Sequence, residues 1–304
     1  MVDADPAETY SLDLAVPRSS PRPTFNQPTH IPYASVTQHL WGDETSGEVA
    51  DWIYVSSDKV HQLVFGLPPG GAFRHSEHYR TVFAADELLY VLSGVLVLAN
   101  PESGEVQRLE PGQAVFFRRD TWHHGFSFGP EALRVLEFFA PPPATGASSQ
   151  YARSKENLRE TSYLDLRWLN QWPTSSEERA RALTLRPITP QDILWSLDGP
   201  SGTALVGIYV STEHLTAGEI QLRPGGKTDL HSHGGDETVY VLDGPVSVYL
   251  PDADGPDGQR WFEVNHRDGF YLPEGTRHEF RNVGSSTVRL LFAVAPSLLP
   301  GTQG

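Results

Sequence analysis

Cysteine is absent from this chain of 304 residues, and methionine occurs once. The absence of cysteine excludes disulfide bonds and thiolate metal sites. Basic residues are also scarce, since 23 Lys and Arg stand against 38 Asp and Glu, which gives a net charge of -15. This balance argues against nucleic acid or an anionic membrane as a partner, because phosphate contacts require clustered Lys and Arg.

Long apolar segments are missing as well. No run approaches the roughly 18 uninterrupted apolar residues of a transmembrane helix, so none is expected. The first eight residues lack the basic and apolar regions of a signal peptide, which predicts a cytoplasmic location. By contrast, the chain has 27 glycines and 25 prolines, which favour turns between many short strands. The chain is long enough for two domains of ordinary size, each with its own core.

Four side chains in the second half of the chain have the spacing of a metal site. His231 and His233 are two residues apart, so they point to the same side of a strand. Glu237 keeps the same parity, and His278 follows about forty residues later, behind a Pro-x-Gly turn. Three imidazoles and a carboxylate suit a divalent first-row metal.

These residues carry a resemblance to the cupin superfamily. Residues 225–244 reproduce its first motif, Gly-x5-His-x-His-x3-Glu-x6-Gly, and residues 273–282 match Pro-x-Gly-x2-His-x3-Asn of its second. The one departure is Arg267, where the second motif begins with glycine. The resemblance implies an all-β fold of jelly-roll barrels (double-stranded β-helices). It also implies that the three histidines and Glu237 bind one divalent metal ion, which would be Fe, Mn, Ni, Cu or Zn, with Fe or Mn favoured.

The first half of the chain repeats this pattern. Residues 86–94 mirror residues 236–244 at an offset of 150, and residues 114–141 align without gaps on residues 269–296 at an offset of 155. The second alignment places His123 on His278. The chain is therefore similar to the bicupins, which contain two tandem barrels, and the resemblance covers most of residues 50–140 and 186–297.

The first copy departs from the metal motif. His75 fits the first ligand position, but Glu77 stands where the second histidine belongs, and His78 is one residue further on. Glu87 and His123 occupy the remaining positions. Two interpretations stay open: a second metal site built from His75, Glu77 or His78, Glu87 and His123, or a vestigial site. We predict that this barrel binds metal more weakly than the second barrel, or not at all.

The expected organisation has four parts. Residues 1–48 form a proline-broken arm, and residues 49–140 form the first barrel. Residues 141–185 are a linker with short helices, and residues 186–297 form the second barrel. Arms of this kind often lie across the partner barrel in bicupins. We expect a homodimer.

Three classes of function fit such a chain. A redox-active metal would support an oxygen-using dioxygenase acting on a small phenolic, diketone or carboxylate substrate, as in many bicupins. A non-redox metal would support isomerisation, hydrolysis or decarboxylation. The third class is a non-catalytic bicupin that binds a small molecule. We favour the dioxygenase. The sequence identifies no general base, but Arg223, Lys227 and Tyr240 are candidate substrate-binding residues near the metal ligands.

Overall fold

The computed structural model describes residues 20–76, 79, 81–141, 158–170, 176–252 and 255–299. Within these residues the chain forms 21 strands and a single α-helix, which confirms the all-β class with a short helical linker. Glu77 and His78, along with residues 1–19, 142–157 and 171–175, lie outside the described part. No helix in the described ranges is both long and apolar enough to cross a bilayer.

The first barrel consists of two antiparallel sheets that face each other. Its strands are β2 (Thr37–Asp43), β3 (Gly47–Ser56), β4 (His61–Leu67), β5 (Ala72–Phe73), β6 (Asp86–Ser93), β7 (Leu96–Asn100), β8 (Glu105–Leu109), β9 (Ala114–Phe117), β10 (His124–Ser127) and β11 (Leu133–Ala140). The larger sheet has the order β9-β6-β11-β4-β3-β2, extended beyond β9 by one further strand, and the smaller sheet has the order β5-β10-β7-β8.

The second barrel has the same construction. Its strands are β13 (Leu194–Asp198), β14 (Ala204–Ser211), β15 (Thr216–Leu222), β16 (Asp236–Asp243), β17 (Val246–Tyr249), β18 (Trp261–Val264), β19 (Gly269–Leu272), β20 (Glu279–Arg281) and β21 (Val288–Ala295). The larger sheet runs β19-β16-β21-β15-β14-β13, again extended by one strand beyond β19, and the smaller runs β18-β17-β20. Even the register shift in β3, between Ile53 and Val55, recurs between Ile208 and Val210 of β14, at the offset of 155.

The extending strands are exchanged between the barrels. Strand β1 (Thr29–Ile31) comes from the amino-terminal arm and pairs with β19 of the second barrel. Strand β12 (Arg186–Ile188) lies in the part of the chain assigned to the second barrel, yet it pairs with β9 of the first. Since β9 and β19 are equivalent strands, the two exchanges are symmetric. Each covers a sheet edge that would otherwise present unpaired backbone groups.

The barrel boundaries therefore differ from those expected. Strand β2 falls within the predicted arm, residues 1–48, but it pairs along its whole length with β3. The sheet of the first barrel thus begins at Thr37, and that of the second begins at Leu194. Between the barrels, the described linker residues contain a 3-10 turn at Leu166–Trp168 and the helix α1 (Ser176–Ala182).

Three large apolar clusters form most of the core, and a small fourth cluster contains Val82 and Trp122. One fills the first barrel around Ile53 and Leu89, and another fills the second around Phe270 and Phe292. A third cluster lies between the two large sheets and includes Tyr54 and Tyr240. Because the large sheets are buried on both faces, their central strands are nearly continuous apolar runs rather than alternating ones.

Candidate metal centre

The metal motif lies at one end of the second barrel, where two segments are held together by backbone bonds. The amide of His231 donates to the carbonyl of His278 over 3.1 Å, and the amide of His278 donates to the carbonyl of His231 over 2.9 Å. The amide of Gly275 donates to the carbonyl of His233 over 2.9 Å, which ties the Pro-x-Gly turn to the same place. Gly275 has a φ of 79°, a left-handed conformation that glycine adopts without steric cost.

The four predicted ligands converge. One ligand atom from each of His231, His233, Glu237 and His278 lies within 4.8 Å of all the others. Nε2 of His278 is 2.8 Å from Oε2 of Glu237, and Nε2 of His233 is 3.5 Å from the same oxygen. Among the described residues, this is the one group of three or more histidine or carboxylate side chains with the geometry of a metal site.

Hydrogen bonds to backbone carbonyls orient all three imidazoles. Nδ1 of His231 bonds to the carbonyl of Asp229 at 2.7 Å, and Nδ1 of His233 bonds to that of Leu298 at 2.7 Å. Nδ1 of His278 bonds to the carbonyl of Thr276 at 3.0 Å. A carbonyl only accepts, so each Nδ1 carries the proton and each Nε2 presents a lone pair. Such bonds fix the orientation of metal-binding histidines. These carbonyls could not be recognised from the sequence, because every residue has a backbone carbonyl.

Two buried atoms at the centre test whether a metal fits. Oε2 of Glu237 and Nε2 of His278 are inaccessible to solvent, and although they lie 2.8 Å apart neither donates to the other when Nδ1 of His278 carries the proton, so both lack a hydrogen-bond partner among the described residues. A buried polar atom without a partner is costly, and two of them facing one point need a shared ligand. A divalent cation would satisfy both, so these residues fit a metal.

The protonation states favour metal binding. Burial raises the pKa of Glu237, but the neighbouring imidazoles of His278 and His233 together outweigh burial and lower that pKa to about 2. The pKa of His231 is lowered, first by burial and then by the adjacent His278. At neutral pH Glu237 is therefore an anion and His231 is neutral, which are the forms that bind a metal.

The centre is closed on one side and open on the other. The ring of Phe280 lies 5.2 Å from that of His278, and Phe280 is fully buried in the barrel core. On the outer side His231 and His233 are only half-buried, and Leu230 is exposed. Four protein ligands leave coordination positions of a first-row metal free, and this outer side is where a substrate would reach them.

The corresponding residues of the first barrel that the structure describes do not form such a group. His75 turns to His124, with 2.6 Å between its Nδ1 and Nε2 of His124, and it does not join Glu87 and His123 in a ligand set. Nε2 of His123 and Oε2 of Glu87 are 3.9 Å apart. Residue Glu77 lies outside the described residues, as does His78. The contact between His75 and His124 favours the vestigial interpretation, but the second metal site stays a prediction because two of its candidate ligands lie outside the described residues.

The three candidate substrate-binding residues lie in different surroundings. Tyr240 is on the outer face of β16, in the cluster between the barrels, with its ring 5.6 Å from that of Tyr54. It therefore does not line the metal pocket. Nζ of Lys227 bonds to Glu279 at 3.0 Å, and the side chain of Glu279 points away from the face that His278 occupies. Arg223 is exposed in the turn that precedes the motif.

Residues 63–139 and 218–294 match the family model described as Cupin domain, and together they cover just over half of the chain. The fold and the two matches define a two-domain cupin, and the chain belongs to the cupin family. It is 30% identical over 119 residues to the polyketide synthase CurC of Streptomyces cyaneus, which is 39% of this chain and 71% of that protein.

Solved structures show the same two-barrel fold. A putative glyoxylate induced protein from Pseudomonas aeruginosa superposes with a TM-score of 0.61 at 17% identity, covering 91% of each chain. Oxalate decarboxylase from Bacillus subtilis, a protein with Mn(II) centres, superposes with a TM-score of 0.57 at 14% identity, covering 90% of this chain and 78% of its own. At these identities the likeness shows the fold alone.

Proposed function

We propose that this protein is a metal-dependent bicupin enzyme whose reaction takes place at the second barrel, and that it is an oxygen-using dioxygenase acting on a small organic substrate. The observation that carries the proposal is the pair of partnerless buried atoms, Oε2 of Glu237 and Nε2 of His278, at a point where His231 and His233 also converge. A vestigial site that had lost its metal would not be expected to retain this arrangement, because it is costly without a ligand.

Iron or manganese suits this donor set and, when bound, would supply redox chemistry with molecular oxygen. The residues of the protein would hold the metal and orient its ligands. The carbonyls of Asp229, Thr276 and Leu298 keep the imidazoles in the binding tautomer. The ionised Glu237 offsets the charge of the metal, and Phe280 keeps water away from the inner side.

The surroundings of the ligands favour oxygen chemistry over acid–base chemistry. Within the described ranges, the polar partners of the four ligand side chains are one another and backbone carbonyls. Isomerisation, hydrolysis and decarboxylation each move a proton and draw on a general acid or base positioned at the metal. A substrate that chelates the metal through its own oxygens and reacts with dioxygen depends less on a general acid or base from the protein.

The substrate class follows from the same argument. A phenol or a diketone offers oxygen atoms that can bind a metal directly, whereas neither Lys227 nor Tyr240 is available to hold a carboxylate at the centre. The relative called a polyketide synthase supports this choice, because polyketides are rich in keto and phenolic oxygens. We therefore propose a diketone or phenolic substrate of the kind that polyketides supply.

Metal content and oxygen uptake test the proposal together. The purified chain, reloaded with Fe(II) or Mn(II), is assayed for oxygen consumption with a panel of diketones and phenols, with His278→Ala as the inactive variant and His123→Ala as its matched control. Substrate-dependent uptake that His278→Ala abolishes and His123→Ala retains is expected. A chain that holds only zinc and consumes no oxygen would overturn the dioxygenase in favour of non-redox metal chemistry. A chain with metal but no turnover of either kind would indicate a binding protein.

We also propose a homodimer. Strand β13 is the outermost strand of its sheet, and Leu194 and Leu197 on it are 70% and 73% exposed. An outer strand with exposed apolar side chains favours association with another edge, and a second copy of the chain presents the same strand.

A further inference from the structure

The interior of the first barrel contains a cavity of about 80 Å³. A single water molecule needs roughly 10–15 Å³ on this measure, so the cavity has room for a small organic molecule. Most of its wall is aromatic or aliphatic, including Trp41, Phe65, Phe73 and Phe139. This cavity is remote from the metal motif of the second barrel, since its lining comes entirely from the first barrel and the segment that precedes it, and it includes His123, the counterpart of His278.

Ionisable side chains interrupt this apolar wall. Asp51, His61 and Glu137 line the cavity and are buried. Strand register places all three on the inner face of the large sheet: Asp51 lies opposite Phe65, His61 opposite Phe139, and Glu137 opposite Leu63. Residues directly opposite in neighbouring strands share a face, and these apolar partners belong to the interior cluster.

The second barrel has no such groups at the equivalent positions. At the offset of 155, Asp51, His61 and Glu137 correspond to Val206, Thr216 and Phe292. Val206 and Phe292 pack in the apolar interior of that barrel. The fold therefore does not need ionisable groups at these positions. Burying them is costly, and perturbed titratable groups in a cavity indicate a functional site.

Two polar atoms in the cavity wall lack a protein partner. Nδ1 of His61 and Oγ1 of Thr81 are inaccessible to solvent and have no hydrogen-bond partner among the described residues. His61 is 4% exposed and Thr81 is 2% exposed. Each atom can either donate or accept a hydrogen bond. A ligand in the cavity would satisfy them if it can act as a hydrogen-bond donor or as an acceptor.

Apart from the guanidinium of Arg22, the ionisable groups of the cavity carry little charge below pH 7. Burial, with a smaller effect of Glu137, raises the pKa of Asp51 well above its usual value, and burial raises the pKa of Glu137 to about 7. Burial, with a smaller effect of Arg22, lowers the pKa of His61 to about 3. Protonated carboxyl groups and a neutral imidazole favour a neutral ligand over an ion.

The amino-terminal arm covers one end of the cavity. Ser20, Pro21 and Arg22 contribute to its lining. Nη2 of Arg22 donates to the carbonyl of Ser57 over 3.1 Å, and the amide of Ser56 donates to the carbonyl of Pro23 over 2.7 Å. The arm is thereby attached to the rim of the barrel at that end of the cavity.

We infer that the first barrel is a second, metal-free binding site for a small uncharged aromatic molecule that bears a hydroxyl or keto oxygen. The aromatic wall receives the ring of the ligand, and Glu137, His61 and Thr81 form hydrogen bonds with its oxygen. Apolar pockets with a few convergent polar groups bind ligands in this manner. The first copy has thus exchanged the metal motif for an organic ligand site.

Phenol and toluene are matched probes for this site, because they have similar size and differ in the oxygen. Isothermal titration calorimetry of the full chain is expected to show phenol binding at least tenfold more tightly than toluene. In Glu137→Leu and Thr81→Val this preference should fall severalfold while toluene still binds. His233→Ala, in the metal motif of the other barrel, is expected to leave both affinities unchanged.

Three results would overturn the inference. If neither probe binds, the cavity holds only water. If the preference for phenol survives in both variants, the polar wall does not recognise the ligand. If benzylammonium binds more tightly than phenol, the carboxyl groups form a cation site instead. Thr81→Val is nearly isosteric, so it keeps the test decisive if Glu137→Leu does not fold. The test is independent of the proposed dioxygenase, since His233→Ala removes that activity and not this binding.

Discussion

Nε2 of His278 lies 2.8 Å from Oε2 of Glu237, whereas the equivalent atoms of the first barrel, Nε2 of His123 and Oε2 of Glu87, are 3.9 Å apart. The second pair belongs to a barrel in which the third candidate ligand, His75, is bonded to His124. The two barrels thus share strands and register, but only one gathers a complete ligand set within the described residues.

The contact between the barrels is expected to contribute measurably to stability. Gln62 is fully buried there, with its side chain bonded to the hydroxyl of Thr238 and, over 3.3 Å, to the carbonyl of Val239. Gln62→Leu leaves the Thr238 hydroxyl without a partner and should cost about 1–3 kcal/mol in the free energy of unfolding. Urea denaturation measures this cost, and Gln38→Leu, at an exposed position, is the control with an expected change below about 0.5 kcal/mol. Equal effects of the two substitutions would show that the buried bonds contribute nothing.

Stability should depend on pH through the buried carboxyl group of Glu137. Its folded pKa is about 7, raised by burial from a usual value of 4.5. Since the folded pKa is the higher one, the contribution to stability is complete below pH 4.5 and is lost as the pH rises through 7. Glu137→Leu should remove this loss, so the difference in stability between pH 5 and pH 8 should shrink by on the order of 2 kcal/mol. An unchanged pH profile in the variant would contradict the assignment.

The proposed dimer can be tested at the outer strand of the second barrel. Leu197→Lys places a charge on the exposed face of β13, and inward or edge charges disfavour strand association. Light scattering after size exclusion should show the variant shifted toward the monomer. Its dissociation constant for the dimer should be at least tenfold higher than that of the wild type. Leu40→Lys, exposed on β2 of the first barrel, is the matched control. A dimer unaffected by Leu197→Lys would place the interface elsewhere.

The sequence predicted the all-β class, the repeat and the convergence of the four ligands, because its motifs resemble those of the cupins and occur in two copies. It did not predict the position of Tyr240, since alternation along a strand cannot identify the inner face when both faces are buried. It placed the arm across the partner barrel but did not predict the pairing of β1, which depends on a sheet edge far away in the chain. Glu137 could have been recognised by setting the two copies side by side, because its counterpart is Phe292.

Metal content of the purified full chain, measured by inductively coupled plasma mass spectrometry, decides most directly whether the second barrel holds the metal. The wild type is expected to carry close to one divalent ion per chain under non-saturating conditions. His278→Ala should lose most of this ion while its circular dichroism spectrum stays unchanged, because the barrel core is apolar and independent of the metal. His123→Ala, the equivalent substitution in the first barrel, should retain it. Two ions per chain in the wild type, or full occupancy in His278→Ala with loss in His123→Ala, would contradict the assignment.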